Sequence, residues 1–277
     1  MNWSAVDLSI LAPAFVAGLL VLSTHVPLGA QVLRKGIVFI DLAIAQIAAL
    51  GVIVAGLFEV PASGWQMQAA AALAALAGAV LLDRSERKWP RVQEAQIGVV
   101  FVLAATAGIL LLAKNPHGGE HLRDLLAGQI LWVGWSQLVI PLVATAAILA
   151  LWFGLRGRLS QLGFYLVFAL AVTVSVQLVG VYLVFATLIV PSLGARDHEP
   201  GRRLSIAYAI GIVGYAAGLV LSAALDLPSG ALIVWSLAVL AVIAHALSPR
   251  LVTAPGVALA APQGARRSRS QVPPSSR

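Results

Sequence analysis

VLRKGIVFIDLAIAQIAALGVIVA, Val32 to Ala55, opens on a basic pair, Arg34 and Lys35, and continues as an apolar run in which only Asp41 and Gln46 are strongly polar. As a helix, such a run reaches about 30 Å, the thickness of a bilayer's hydrocarbon core. A carboxylate inside it costs roughly 2.5–3.5 kcal/mol on insertion scales, so Asp41 is expected to face protein or water and to serve a purpose. The rest of the chain reads as a set of apolar helices able to enclose that group.

Composition agrees. Hydrophobic residues make up 60% of the 277 and charged residues 10%, which excludes an ordinary soluble domain. The apolar runs are too long and unbroken for barrel strands, so the fold class is an all-α, polytopic transmembrane helix bundle of eight or nine segments. Net charge is +7, but the basic residues sit in short loops and in the tail, where they set topology and meet lipid headgroups; no nucleic-acid partner is expected. With no cysteine there is neither a disulfide nor a thiolate metal site, so a metal would have to meet His, Asp, Glu or backbone oxygen. No GxxxxGK[ST] loop is present, so ATP, if used, is bound by another chain. No nucleophile, base and oxyanion-hole set is recognisable, so an enzyme reading has little support.

The predicted spans are Leu8 to Leu28, Ile37 to Phe58, Met67 to Leu82, Ala95 to Ala113, Ile130 to Gly154, Leu204 to Leu225 and Ala231 to Leu247, with a charged loop from Asp83 to Arg91. No cleavable signal is evident before the first. Residues 1–247 form one transmembrane domain, and 248–277, rich in Pro, Ala, Ser and Arg, read as a disordered basic cytoplasmic tail. Gly163 to Leu193 is too long for one untilted span and short for two. Basic-residue counting decides. If the region crosses and returns, with Val181 to Leu193 as a short span or re-entrant piece, sixteen of the eighteen Lys and Arg fall on one side. That side is the cytoplasm, with the amino terminus outside.

Several polar residues stand out. Asp41 lies about 9 Å and His25 about 12 Å inside the cytoplasmic surface, depths that allow them to meet. Together they could bind or relay a divalent ion, or form a neutral hydrogen bond locking the first two helices. His117, Glu120 and His121 crowd one loop; they read either as a metal-capture group or as a solvated cluster, the Gly118–Gly119 pair favouring a loop. His198 and Glu199 read as part of a solvated loop, Gln177 as a helix–helix hydrogen bond, and His245 as interfacial.

Three blocks carry a family resemblance, from about Phe15 to Ile243. They are VLRKGIVFID with the following AALGV, LAVTVSVQLVGVYLVFATLIVPSLGA from Leu170 to Ala195, and GLVLSAALDLPSGALIV from Gly218 to Val234. In order and at compatible spacing, they resemble the permease subunits of bacterial zinc and manganese ABC importers, of which the chain looks like a divergent member. The resemblance implies a homodimeric permease in the bacterial inner membrane, a separate cytoplasmic ATPase, and an external metal-binding protein delivering Zn²⁺ or Mn²⁺. The ion would be cargo and no cofactor would be stably bound. Two departures stand against the family pattern. Its histidine four residues after the aspartate is replaced by Ala45, and Gln46, one further on, lies about 140° around the helix from Asp41. The cytoplasmic segment that docks on the ATPase is reduced to LRGRLSQLG, Leu155 to Gly163. Contact with an ATPase would then fall on Arg196, Arg202 and Arg203, or else coupling has been lost and the chain is a passive channel or an assembly subunit.

Overall fold

A computed structural model describes residues 8–58, 65–113, 126, 130–155 and 158–248. Long apolar sequences with no water to bond have one cheap way to satisfy their backbone, which is to bond within the segment. Accordingly the described residues contain helices and no strand. In chain order they are α1 (Leu8–Lys35), α2 (Ile40–Leu57), α3 (Trp65–Lys88), α4 (Gln93–Leu112), α5 (Val139–Gly154), α6 (Gln161–Val179), α7 (Val181–Gly194), α8 (Arg203–Leu225) and α9 (Ser229–Ala246). Among the described residues, eight segments are long and apolar enough to cross a membrane, and α7 is a shorter apolar helix.

Some boundaries differ from the sequence expectation. The first helix does not stop at Leu28 but runs on to Lys35, with Pro27 inside it. A proline costs a helix one backbone bond, and tight packing re-satisfies or shields the freed carbonyl within a bundle. The charged stretch after Leu82 is also helical as far as Lys88. Asp83 and Arg87 pair at 2.9 Å across one turn, and the basic last turn suits the negative end of the helix. Only Trp89 to Val92 form the turn into α4. The fifth span begins later than Ile130: two single 3₁₀ turns, Ile130–Trp132 and Trp135–Leu138, precede α5. The loop carrying His117, Glu120 and His121 lies outside the described residues, as does the tail after Ser248.

Gly163 to Leu193 resolves into two helices broken at Gly180. Its φ of 81° with ψ of 164° is a conformation open to glycine and essentially closed to other residues. Helix α6 starts where α1 ends, because the Lys35 ammonium lies 4.8 Å over the Phe164 ring. At the other limit of the pair, Asp197 just beyond α7 meets His245 near the end of α9 at 2.7 Å. Helix α8 runs antiparallel to α1: Tyr208 donates to the Ser23 carbonyl at 3.1 Å, and further along α8 Tyr215 packs on Gly18. The start of α8 therefore points toward the α1 terminus that meets α6, and α7 brings the chain back to the face from which α6 set out. Reporter fusions after Asp197 and after Pro255 are expected to read the same, cytoplasmic, side; two external readings would make Gly163 to Leu193 a single span.

Neighbours in sequence are not always neighbours in space. Helices α8 and α9 pair closely, as do α2 and α3 and α2 and α4, but α1 and α2 barely touch. Both α6 and α7 lie against each of them and separate them.

Candidate functional site

The candidate site grows from the α1–α2 turn. Gly36, at φ 71°, ends α1 in the left-handed conformation, with its N–H on the Leu33 carbonyl at 3.3 Å and that of Ile37 on the Val32 carbonyl at 3.4 Å. This closure satisfies carbonyls at the helix end and reverses the chain. The next helix has no capping side chain of its own. A distant carboxylate serves instead: the Phe39 N–H donates to Glu94 Oε1, from the first turn of α4, at 3.2 Å. Two residues later Asp41 stands in the first turn of α2, 1% exposed, and neither of its carboxylate oxygens has a hydrogen-bond partner. A buried carboxylate so placed is costly unless an ion, a proton or water meets it.

His25 is fully buried on α1. Its Nδ1 lies 3.1 Å from the Val21 carbonyl and 3.0 Å from Thr24 Oγ1, and that hydroxyl donates to the same carbonyl at 3.1 Å. Val21 O can only accept, so its contact with the ring is met by a protonated Nδ1, which in the neutral imidazole leaves the lone pair on Nε2. Nε2 has no partner. The depths of His25 and Asp41 allow a hydrogen bond between them, but none is formed, because α6 and α7 stand between the helices that carry them. Gln46 is buried on α2 without joining either. Among the described residues no group of three or more His, Asp and Glu converges as a metal cage would. The described donors are thus one carboxylate and one imidazole on two sides of a helical pair.

Of the three arginines marked for ATPase contact, Arg196 lies just past the end of α7 and Arg202 and Arg203 at the start of α8. Arg196 pairs with Asp197 at 3.3 Å, Arg203 donates to the His198 carbonyl at 2.8 Å, and Arg202 is exposed. Burial works against ionisation of Asp197, but the hydrogen bonds and charges of Arg196 and then His245 hold its carboxyl below the usual carboxylate range. Ser248 adds a bond to the Asp197 carbonyl at 2.9 Å, tying this loop to the end of α9. His245, more than half exposed near the end of α9, also tethers this loop, and Gln177 is exposed instead of bridging helices.

Sequence reading missed two buried polar links. Tyr165 at the start of α6 donates to Glu86 and accepts from Gln93, clamping α6 to the α3–α4 corner. Thr187 on α7 and Tyr215 on α8 share a bond of 2.8 Å. Polar residues inside apolar runs were the available signal, but nothing in their spacing names their partners.

Set beside known proteins, residues 7–159 and 149–248 match the model of the ABC 3 transport family, which takes in nearly all of the described chain. The chain belongs to the ABC 3 transport family. Its family and its apolar helices make it a multi-pass inner-membrane protein. A probable iron transport system membrane protein of Haemophilus influenzae is 28% identical over 177 residues, 56% of this chain. The chain spans 65% of that relative's length. Among solved structures, a chain of PsaBC from Streptococcus pneumoniae in complex with a Fab superposes with a TM-score of 0.69, covering 87% of this chain and 91% of its own at 19% identity. That likeness is one of fold, and it places this ABC 3 permease on an architecture already seen.

Proposed function

We propose that this ABC 3 family permease moves a divalent transition-metal ion, zinc or manganese, inward across the membrane, and that Asp41 is its principal ligand in transit. The observation carrying this reading is the buried carboxylate of Asp41 with both oxygens unpartnered. Carboxylate and imidazole without thiolate form a donor set suited to Mn²⁺, Fe²⁺ or Zn²⁺ rather than to Cu⁺. Iron joins the candidates through the name of the Haemophilus influenzae relative. His25, with its free Nε2, would take the ion after or before Asp41 as a second station beyond the α6–α7 pair. His117, Glu120 and His121 would capture it at the outer face. The working unit in this reading is a homodimer in the lipid bilayer, with a separate cytoplasmic ATPase and an external metal-binding protein. Uptake of Zn²⁺, Mn²⁺ and Fe²⁺ into vesicles holding the permease with its ATPase and ATP tests it; no ATP-dependent uptake of any of the three would refute it.

A second reading has a specific observation behind it. Helix α5 ends at Gly154 and α6 begins at Gln161, so the connection has no room for a docking helix of two turns. Either the ATPase docks elsewhere or the permease is uncoupled, as a passive channel or assembly subunit. The loop after α7 is the better-placed alternative, because it follows directly on a helix packed against both α1 and α2. Arg202→Glu with Arg203→Glu should cut co-purification of the ATPase about tenfold while membrane insertion is unchanged, since close charge pairs across an interface contribute on the order of 1.5 kcal/mol or more. Unchanged co-purification would exclude this loop as the docking site, and absence of any co-purifying ATPase would favour the uncoupled reading.

A further inference from the structure

Helices α3 and α4 join through the tight turn at Trp89–Val92 and both lean on α2, yet they touch each other little. Between them runs a groove of about 350 Å³, open to the membrane, along α3 from Leu81 to Trp89 and along α4 from Val92 to Val100. Leu81, Trp89, Val92 and Val99 line it and are each half or more exposed. From Leu81 to Trp89 the groove follows roughly 12 Å of helix axis. Its two polar side chains, Ser85 and Gln96, bond to each other. The walls therefore suit a hydrocarbon chain better than a polar ligand.

One mouth of the groove differs in character. The Lys88 ammonium sits 4.4 Å over the ring of Trp89, and Arg91 lies in the turn between Trp89 and Val92, which both line the groove. Neither cation pairs with an acidic side chain among the described residues, whereas Arg87 is held by Asp83 at 2.9 Å. A tryptophan flanked by unpaired cations at the end of a span is the arrangement that meets headgroups at a membrane surface. Charge and shape thus agree on one occupant.

We propose that this groove binds an anionic phospholipid, with one acyl chain between α3 and α4 and the phosphate held at the mouth by Lys88 and Arg91. Each cation near the surface is worth about a fivefold preference for an anionic over a zwitterionic lipid, so the pair should select strongly. The groove is lined by residues of α3, α4 and the turn between them, and neither Asp41 nor His25 lines it.

The protein reconstituted in vesicles of equal parts phosphatidylglycerol and phosphatidylethanolamine, then re-extracted in mild detergent, should retain phosphatidylglycerol in excess. Lys88→Gln with Arg91→Gln should lower that excess on the order of tenfold. Ala95→Phe, which fills the groove and leaves both cations in place, should lower it as well. Arg202→Gln with Arg203→Gln, equally basic sites far from the groove, should leave it unchanged. Equal retention of the two lipids by the unmodified protein would overturn the proposal. So would a loss of the same size in all three variants, which would mark a general basic surface instead of a site, and so would full retention by Ala95→Phe.

Discussion

Asp41→Asn is expected to abolish metal uptake while leaving the protein folded and inserted. The amide matches the carboxylate in shape but carries no charge and offers one acceptor oxygen in place of two. Because the described structure gives the carboxylate no hydrogen-bond partner, the substitution breaks no bond, and burying a neutral amide costs less than burying an anion. Altering even the groups that support a metal ligand commonly costs ten- to a hundredfold in affinity or activity, so loss of the ligand itself should cost about a hundredfold or more. Initial uptake rates in vesicles, compared at equal amounts of inserted protein, provide the measurement. His25→Gln should fall less, about tenfold, because Gln retains a donor and an acceptor but not the imidazole lone pair. Uptake at the normal rate by the Asp41→Asn protein would remove Asp41 from the mechanism.

The second large effect is structural. At Gly29→Val the first added carbon meets the Leu188 carbonyl oxygen of α7, and Ser192 Oγ lies at 3.1 Å. A backbone oxygen cannot rotate out of the way as the end of a side chain can, so α1 and α7 must move apart. Opening that crossing also strains the bond from Ser192 to the Val26 carbonyl, at 3.3 Å. Overpacking a well-packed contact costs typically 1–3 kcal/mol, and here the clash is with main chain, so the variant should fall at or beyond the upper end of that range. Gly56 is the control, since an added carbon there meets nothing within 4 Å. Gly56→Val should leave the yield of folded protein and its melting temperature in detergent nearly unchanged, whereas Gly29→Val should lower both sharply. Equal behaviour of the two variants would refute the close crossing.

How much of this was readable beforehand follows from the physics of each signal. Apolar length is a local property, so the spans could be read one at a time, and even the break at Gly180 showed as a run too long for one helix. Boundaries were less legible. Pro27 and the charges from Asp83 to Lys88 are stop signals in isolation, yet neighbouring helices and the Asp83–Arg87 pair override them. Asp41 was legible because a carboxylate in such a run is expensive wherever the chain goes. Its separation from His25 was not, because it depends on two helices more than a hundred residues later in the chain. The clamp of Tyr165 on Glu86 and Gln93 was hidden for the same reason: its partners lie 79 and 72 residues away.

The insertion of α6 and α7 between α1 and α2 also bears on the order in which the chain can mature. Synthesis delivers the first two helices to the bilayer well before the pair that must separate and cover them. During that interval Asp41 and His25 lack the walls that later seal them, so a half-made chain holds an ionisable group that it cannot yet shelter. Final enclosure is a late, long-range event, the kind of step that is slow and leaves apolar and polar surface unguarded. A fragment ending before Gln161 therefore keeps the α3 and α4 that pack on α2 but lacks the helices that stand between α1 and α2, and surveillance proteases should clear it faster than a fragment that extends through Gly194.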